Sequence, residues 1–216
     1  MEAPPASGEG SLAKADSVLQ YLWDQDARAW DRYWVPVFRL FARDLVADTH
    51  PMPGDVVLDV GTGSGAAALE VCKAVPSVSL VVGIDRSEAM IKLARRKVSL
   101  ADLRNLRFHK MSAEDLHFPD GFFDVAISNC GIAVAQLTRC MRETLRVLRP
   151  GGHLVFNDWH LVDVKAHQVF GEVLEKYRTR NPSPALVRER SALATMEHFH
   201  HSLSSGIQRK LVSDVG

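Results

Sequence analysis

An apolar run, Val56-Val57-Leu58-Asp59-Val60, opens directly onto Gly61-Thr62-Gly63-Ser64-Gly65, and a second apolar run, Val81-Val82-Gly83-Ile84, ends in a lone acid, Asp85. Alternate glycines between a strand and a helix let the backbone turn tightly and approach a ligand closely, because each lacks the Cβ that would block it. The amides that open the next helix offer donors to a carboxylate or phosphate, helped by the helix dipole. Asp85 stands 20 positions past Gly65, where an acid closing the second strand accepts hydrogen bonds from both ribose hydroxyls. A ribose without a 2′-phosphate is expected. The layout is that of a nucleoside-binding βαβ unit, and it commits the chain to parallel strands joined by crossover helices.

The flanking sequence repeats that rhythm. Residues 1–10, rich in Pro, Gly, Ala and Glu, read as a flexible tail without the basic-then-apolar order of a signal peptide. Ser11 to Ala47 carries apolar residues at helical spacing, which predicts two helices broken near Pro36 or just before it. Pro51-Met52-Pro53-Gly54-Asp55 is a dense turn signal, so the first strand should start at Val56. Further strands are predicted at Val78 to Ile84, Leu106 to Lys110, Phe123 to Ser128 and His153 to Asn157. Helices should run from Gly65 to Val75, from Ser87 to Ala101 and from Gln136 to Leu148, the last stopped by Pro150-Gly151-Gly152. The expected fold is a doubly wound, mostly parallel α/β sheet: tail 1–10, helical lead-in 11–50, nucleoside-binding core 51–160 and a helical segment 161–216.

Acidic and basic residues balance at 26 each, so no overall field recruits nucleic acid or an anionic membrane, and a small molecule is the expected partner. No apolar segment approaches the roughly 20 residues that span a bilayer. Cys72, Cys130 and Cys140 form an odd set without a Cys-x-x-Cys pair, which argues against a disulfide framework or thiolate zinc site and favours a reducing, cytoplasmic compartment. No metal site is expected; His198, His200 and His201 lack companion ligands and read as surface histidines.

Two cofactor classes suit the glycine turn. Gly61-Thr62-Gly63-Ser64-Gly65-Ala66 can be forced into the dinucleotide pattern Gly-x-Gly-x-x-Ala. Asp59 favours S-adenosylmethionine, because a carboxylate there meets a cationic ammonium and would repel a pyrophosphate. So do the long helical lead-in and two segments with no role in dinucleotide binding, Ala113 to Asp124 and Arg146 to Leu154.

On these four ordered motifs, spanning about Trp30 to Asp158, the chain resembles the class I S-adenosylmethionine-dependent methyltransferases, in the small-molecule group of the ubiquinone and menaquinone biosynthesis enzymes. The resemblance implies a Rossmann-like sheet of order 3-2-1-4-5 and methyl transfer to a small-molecule oxygen, carbon or nitrogen. It also assigns positions. Asp59, Gly61, Thr62, Gly63 and Gly65 wrap the methionine part, and Asp85 holds the ribose with Arg86 and Met90 flanking the adenine. Ser112, Ala113 and Glu114 meet the adenine edge, where Ser112 replaces the family's frequent acid. Asn129, Cys130 and Gly131 lie beneath the methionine and the acceptor, and Tyr33 is the candidate cover from the lead-in helix.

The fourth strand ends Ser-Asn-Cys-Gly, not the Asn-Pro-Pro-Tyr of enzymes that methylate adenine or glutamine nitrogens, and Cys130 lacks the preceding proline of a cytosine-C5 nucleophile. Cys130 therefore reads as a buried, inert thiol. His160, just past the fifth strand, is the candidate general base, with a rim histidine of no catalytic task as the alternative. Trp23, Trp30 and Trp34 divide evenly between core and pocket. Arg139, Arg142, Arg146 and Arg149 read as a solvated face opposite Leu137, Met141, Leu145 and Leu148. The family's final antiparallel hairpin has no clear counterpart, so the chain is expected to be a fragment, a shortened isoform or a protein whose fifth-strand edge is covered by a helix or a second copy. A methyltransferase-like binding or regulatory protein and a nucleotide-dependent oxidoreductase are the rival functions.

Overall fold

The computed structural model describes residues 9–132 and 137–157, with side chains from residue 20 onward. Two helices lead in, α1 (Glu9–Tyr33) and α2 (Val35–Thr49), followed by β1 (Val56–Val60), α3 (Ala66–Ala74), β2 (Leu80–Asp85) and α4 (Glu88–Ala101). Then come β3 (Leu106–Lys110), β4 (Phe123–Asn129), α5 (Leu137–Val147) and β5 (Leu148–Asn157). Glu9 and Gly10, expected in the tail, already belong to α1. The break between the lead-in helices falls at Trp34, with Pro36 in the first turn of α2, where its missing N–H costs no helical bond.

All five strands are parallel, in the order β3-β2-β1-β4-β5. Successive residues of β1 feed opposite layers: Val57 joins a core with α2, α3 and α4, and Leu58 joins one with α5 and Phe123. Strands buried on both faces in this way read as continuous apolar runs. The direction of winding reverses at β1, so a crevice opens between the carboxyl ends of β1 and β4, where ligands of such sheets bind.

Two stretches depart from the sequence pattern. Pro150-Gly151-Gly152 ends α5 as expected but lies inside β5, which starts at Leu148 rather than His153. The pairing runs Phe123 to Leu148 and then Val125 to His153, a bulge in which Gly151 takes φ 77°. A Cβ on Gly152 would lie 2.8 Å from the Asp124 carbonyl oxygen, which is why glycine stands there. The arginines expected to share a solvated face do not behave alike. Arg146 donates to Glu143, to Asp120 and to the Leu116 and Phe118 carbonyls, and Arg149 sits in β5 and pairs with Asp124 at 2.7 Å. On α5 the fully buried residues are Cys140, Thr144 and Val147, while Leu137 is exposed.

Among the described residues β5 pairs only with β4. The expected helical segment 161–216, with His160, His198, His200 and His201, lies outside the described residues, as do residues 1–8. Among the described residues no helix is long and apolar enough to cross a membrane.

Candidate functional site

The glycine turn is built by contacts that exclude side chains. Gly61 has φ 68°, and a Cβ on it would come within 2.6 Å of the Gly131 Cα, so the loops after β1 and β4 touch backbone to backbone. Gly65, at φ 89°, precedes the first residue of α3, where a Cβ would run into the ring of Phe108 at 2.7 Å. Gly63 takes φ 54° and donates its N–H to Asp85 Oδ2 at 2.9 Å.

Two carboxylates dominate the polar character of the crevice. Asp59 is 1 % exposed; its Oδ2 accepts from Thr62 Oγ1 at 2.6 Å and from the Ala68 N–H at 3.0 Å. Its Oδ1 is buried without a hydrogen-bond partner among the described residues. Burial pushes the Asp59 carboxyl up to about 6; the Thr62 and Ala68 hydrogen bonds oppose the rise and the nearby Asp85 charge adds to it. Asp85 is raised as well, chiefly by burial, against the hydrogen bonds from Ser87 and Gly63. Its Oδ1 accepts from the Ser87 N–H at 2.8 Å.

The cavity gathers Asp59, Gly61, Thr62, Gly63, Asp85, Arg86, Met90, Ala113, Asn129, Cys130 and Gly131 from the sequence-derived set. Four others stand outside its lining. Gly65 shapes the turn, Ser112 Oγ accepts from the Glu114 N–H at 3.2 Å, and Glu114 pairs with Arg86 at 3.1 Å. Tyr33 ends α1 with its side chain turned outward, 5.4 Å from the Arg32 guanidinium and 64 % exposed, so it does not cover the crevice. The aromatic residues that line it are Trp23, Trp30 and Phe38; Trp34 stacks behind Trp30.

Cys130 is not the buried thiol expected of it. Half-buried and in the cavity wall, it holds φ 59° because Asn157 grips its N–H from two sides, by Oδ1 at 2.9 Å and by its carbonyl at 3.1 Å. Asn157 Nδ2 donates to Asn129 Oδ1, and Asn129 Nδ2 to the Phe38 carbonyl, so three elements are stitched beneath the crevice by two amides. No spacing in the sequence marks Asn157. Phe38 and Val35 could have been found from the apolar face of α2, although its choice of partner could not.

A cationic ammonium suits the unpartnered Oδ1 of Asp59, a diol suits Asp85, and Ile84, Met90, Met111 and Ala113 offer an apolar slot for a planar base. These residues fit S-adenosylmethionine. A pyrophosphate would face two carboxylates. Among the described residues no three His, Cys, Asp or Glu side chains gather as metal ligands.

A family model described as a methyltransferase domain matches residues 52–204. The chain belongs to that family. This methyltransferase domain is 34% identical over 152 residues to the 2-phytyl-1,4-naphtoquinone methyltransferase of Synechococcus elongatus, covering 68% of this chain and 65% of that protein. It is 37% identical over 115 residues to the demethylmenaquinone methyltransferase of Symbiobacterium thermophilum, covering 52% and 46%. The chain thus spans about half to two thirds of the length of these relatives. A solved S-adenosylmethionine-dependent methyltransferase from Aquifex aeolicus shares the fold, with a TM-score of 0.53 at 23% identity over 73% of this chain and 78% of that one.

Proposed function

We propose that this domain transfers the methyl group of S-adenosylmethionine to a small, largely apolar aromatic acceptor. The observation that carries the cofactor is the buried, unpartnered Oδ1 of Asp59 in a crevice whose other carboxylate, Asp85, lies at the end of the neighbouring strand. The acceptor class follows from the aromatic part of the cavity lining, where Val35, Trp30 and Phe38 present apolar and aromatic surface, with ring centroids of Trp30 and Phe38 5.0 Å apart. The quinone-related names of two relatives accord with such a ring.

When bound, the cofactor supplies an electrophilic methyl on a positively charged sulfur. The residues of the chain then have three tasks. Asp59 and Asp85 orient the two polar ends, the Gly61–Gly131 contact fixes the floor, and the aromatic wall excludes water while it aligns the acceptor for in-line displacement. His160 follows the end of β5 by three residues and is the proposed base for acceptors that enter protonated. The absence of a Cys-x-x-Cys pair among Cys72, Cys130 and Cys140 accords with a reducing, cytoplasmic compartment, and a second copy at the β5 edge is the proposed route to association.

Calorimetry with S-adenosylmethionine, S-adenosylhomocysteine and NAD tests the cofactor, followed by a methyl-label screen over naphthols, hydroquinones and catechols. Tight binding of the sulfur nucleotides with label transfer to one of these rings is the expected result. Preference for NAD would sink the reading, and binding without transfer to any acceptor would favour a regulatory protein.

A further inference from the structure

Asp24 and Asp31 stand seven residues apart on one face of α1, outside the segment matched by the family model. Asp31 Oδ1 accepts from Ser64 Oγ and pairs with Lys97 of α4, whose ammonium also donates to the Ser64 carbonyl at 3.1 Å and to Ser64 Oγ at 2.9 Å. Asp24 Oδ1 accepts from Ser87 Oγ at 2.6 Å and from the Ala89 N–H at 3.1 Å. Both serines are buried. Ser64 follows Gly63 in the chain, and the Gly63 and Ser87 N–H groups are the two that hold the Asp85 carboxylate. The contacts form a closed circuit from Asp31 through Ser64, Gly63, Asp85 and Ser87 to Asp24, completed by the helix itself.

We infer that Asp24 and Asp31 are positioning residues for the ribose end of the cofactor site, acting on Asp85 through Ser87 and Ser64. An ionised carboxylate offers about four lone-pair sites, and the two backbone amides occupy one on each oxygen of Asp85. The remaining sites point together at a diol only while both amides keep their places. α1 keeps them there, gripping the glycine turn with one acid and the start of α4 with the other. The acids need not touch the nucleoside to set its recognition.

The inference rests on the S-adenosylmethionine reading and is tested on the full chain by ligand binding alone. Affinities for methylthioadenosine and its 2′-deoxy analogue are measured by calorimetry for the wild type, D24A, D31A, D24N and S64A, with a thermal melt of each. In the wild type the 2′-hydroxyl should favour binding about tenfold, the worth of one hydrogen bond to a charged group. D24A, D31A and S64A should lose most of that preference through weaker binding of the ribonucleoside, with the 2′-deoxy analogue held within about twofold. D24N keeps an acceptor oxygen for Ser87 and should retain the preference, and S64A keeps the helix acids intact should D24A or D31A fail to fold. Equal weakening for both nucleosides, or unchanged discrimination in the alanine variants, would overturn the assignment as a mere folding contribution. A wild type that binds neither nucleoside nor S-adenosylhomocysteine overturns the cofactor reading and this inference with it.

Discussion

Asp59 is kept where it is costly to fold around. Its carboxyl titrates near 6 in the folded protein against a usual 3.8, so burial of the charge works against the fold. Because the folded value is raised, this destabilisation is absent at pH 3, grows as pH rises through 4 to 6, and is complete at pH 7, at about 3 kcal/mol. Asp59→Asn can still accept from Thr62 and Ala68 and removes the buried charge, so it should raise the melting temperature at pH 7 by roughly 5 to 10 °C. On the proposed reading, in which ionised Asp59 meets the ammonium, the same change should weaken S-adenosylhomocysteine. Wild-type affinity should be level above pH 6 and fall as pH drops below it, while D59N gives a flat profile; calorimetry from pH 5 to 7.5 reads both. Gly61 carries the opposite kind of constraint, of space instead of charge. Gly61→Ala puts a Cβ 2.6 Å from the Gly131 Cα at a positive φ, and should cost about 2 kcal/mol or more in urea unfolding.

Elements were legible in the sequence where burial on both faces left an apolar run, as in β1, and where one buried face left an alternation of apolar and polar residues, as in β3; the bounds of both coincide with the predicted ones. The start of β5 was not, because Pro150-Gly151-Gly152 signals a turn and only the Asp124 backbone opposite shows that the turn is a bulge. Asp59, Asp85 and the glycines could be placed from spacing alone, since they are fixed by local geometry. Tyr33 and Cys130 could not: which side of α1 faces the crevice depends on Asp24 and Asp31 finding partners in distant loops, and the turn at Cys130 depends on Asn157. Arg146 is the clearest case of an element held by a residue that resembles surface. Its guanidinium satisfies the Leu116 and Phe118 carbonyls, and with the Leu116 N–H it holds the Glu143 carboxyl down to about 2, the Arg146 hydrogen bond being the largest cause. Since that value is lowered, the stabilisation is full above pH 4.5 and fades as pH falls towards 2. Arg146→Ala should therefore cost about 2 kcal/mol in urea unfolding at pH 7, with a visibly smaller difference at pH 3. An equal loss at both pH values would mean that the carbonyl contacts alone secure the loop before β4.

At the scale of the whole molecule, the cofactor crevice joins parts that the sheet does not. Helix α1 meets α4 through Asp24 and meets the turn before α3 through Asp31, while α2 reaches β4 by the Phe38 carbonyl. A ligand seated among these contacts binds only the folded arrangement and adds RT ln(1 + [L]/Kd) to stability, about 2.7 kcal/mol at a hundredfold excess over Kd. For a chain of this size that should lift the melting temperature by roughly 5 to 10 °C. Adenosine, which leaves Asp59 without its ammonium, should lift it less when both ligands are supplied at the same concentration. Hydrogen exchange distinguishes a coupled site from a local one. On addition of S-adenosylhomocysteine, protection should rise in residues 23–31 of α1 together with 61–65 and 85–90, because the three segments share one hydrogen-bonded circuit. Protection confined to 59–90, with α1 exchanging as before, would mean that the helix rests on the site without belonging to it.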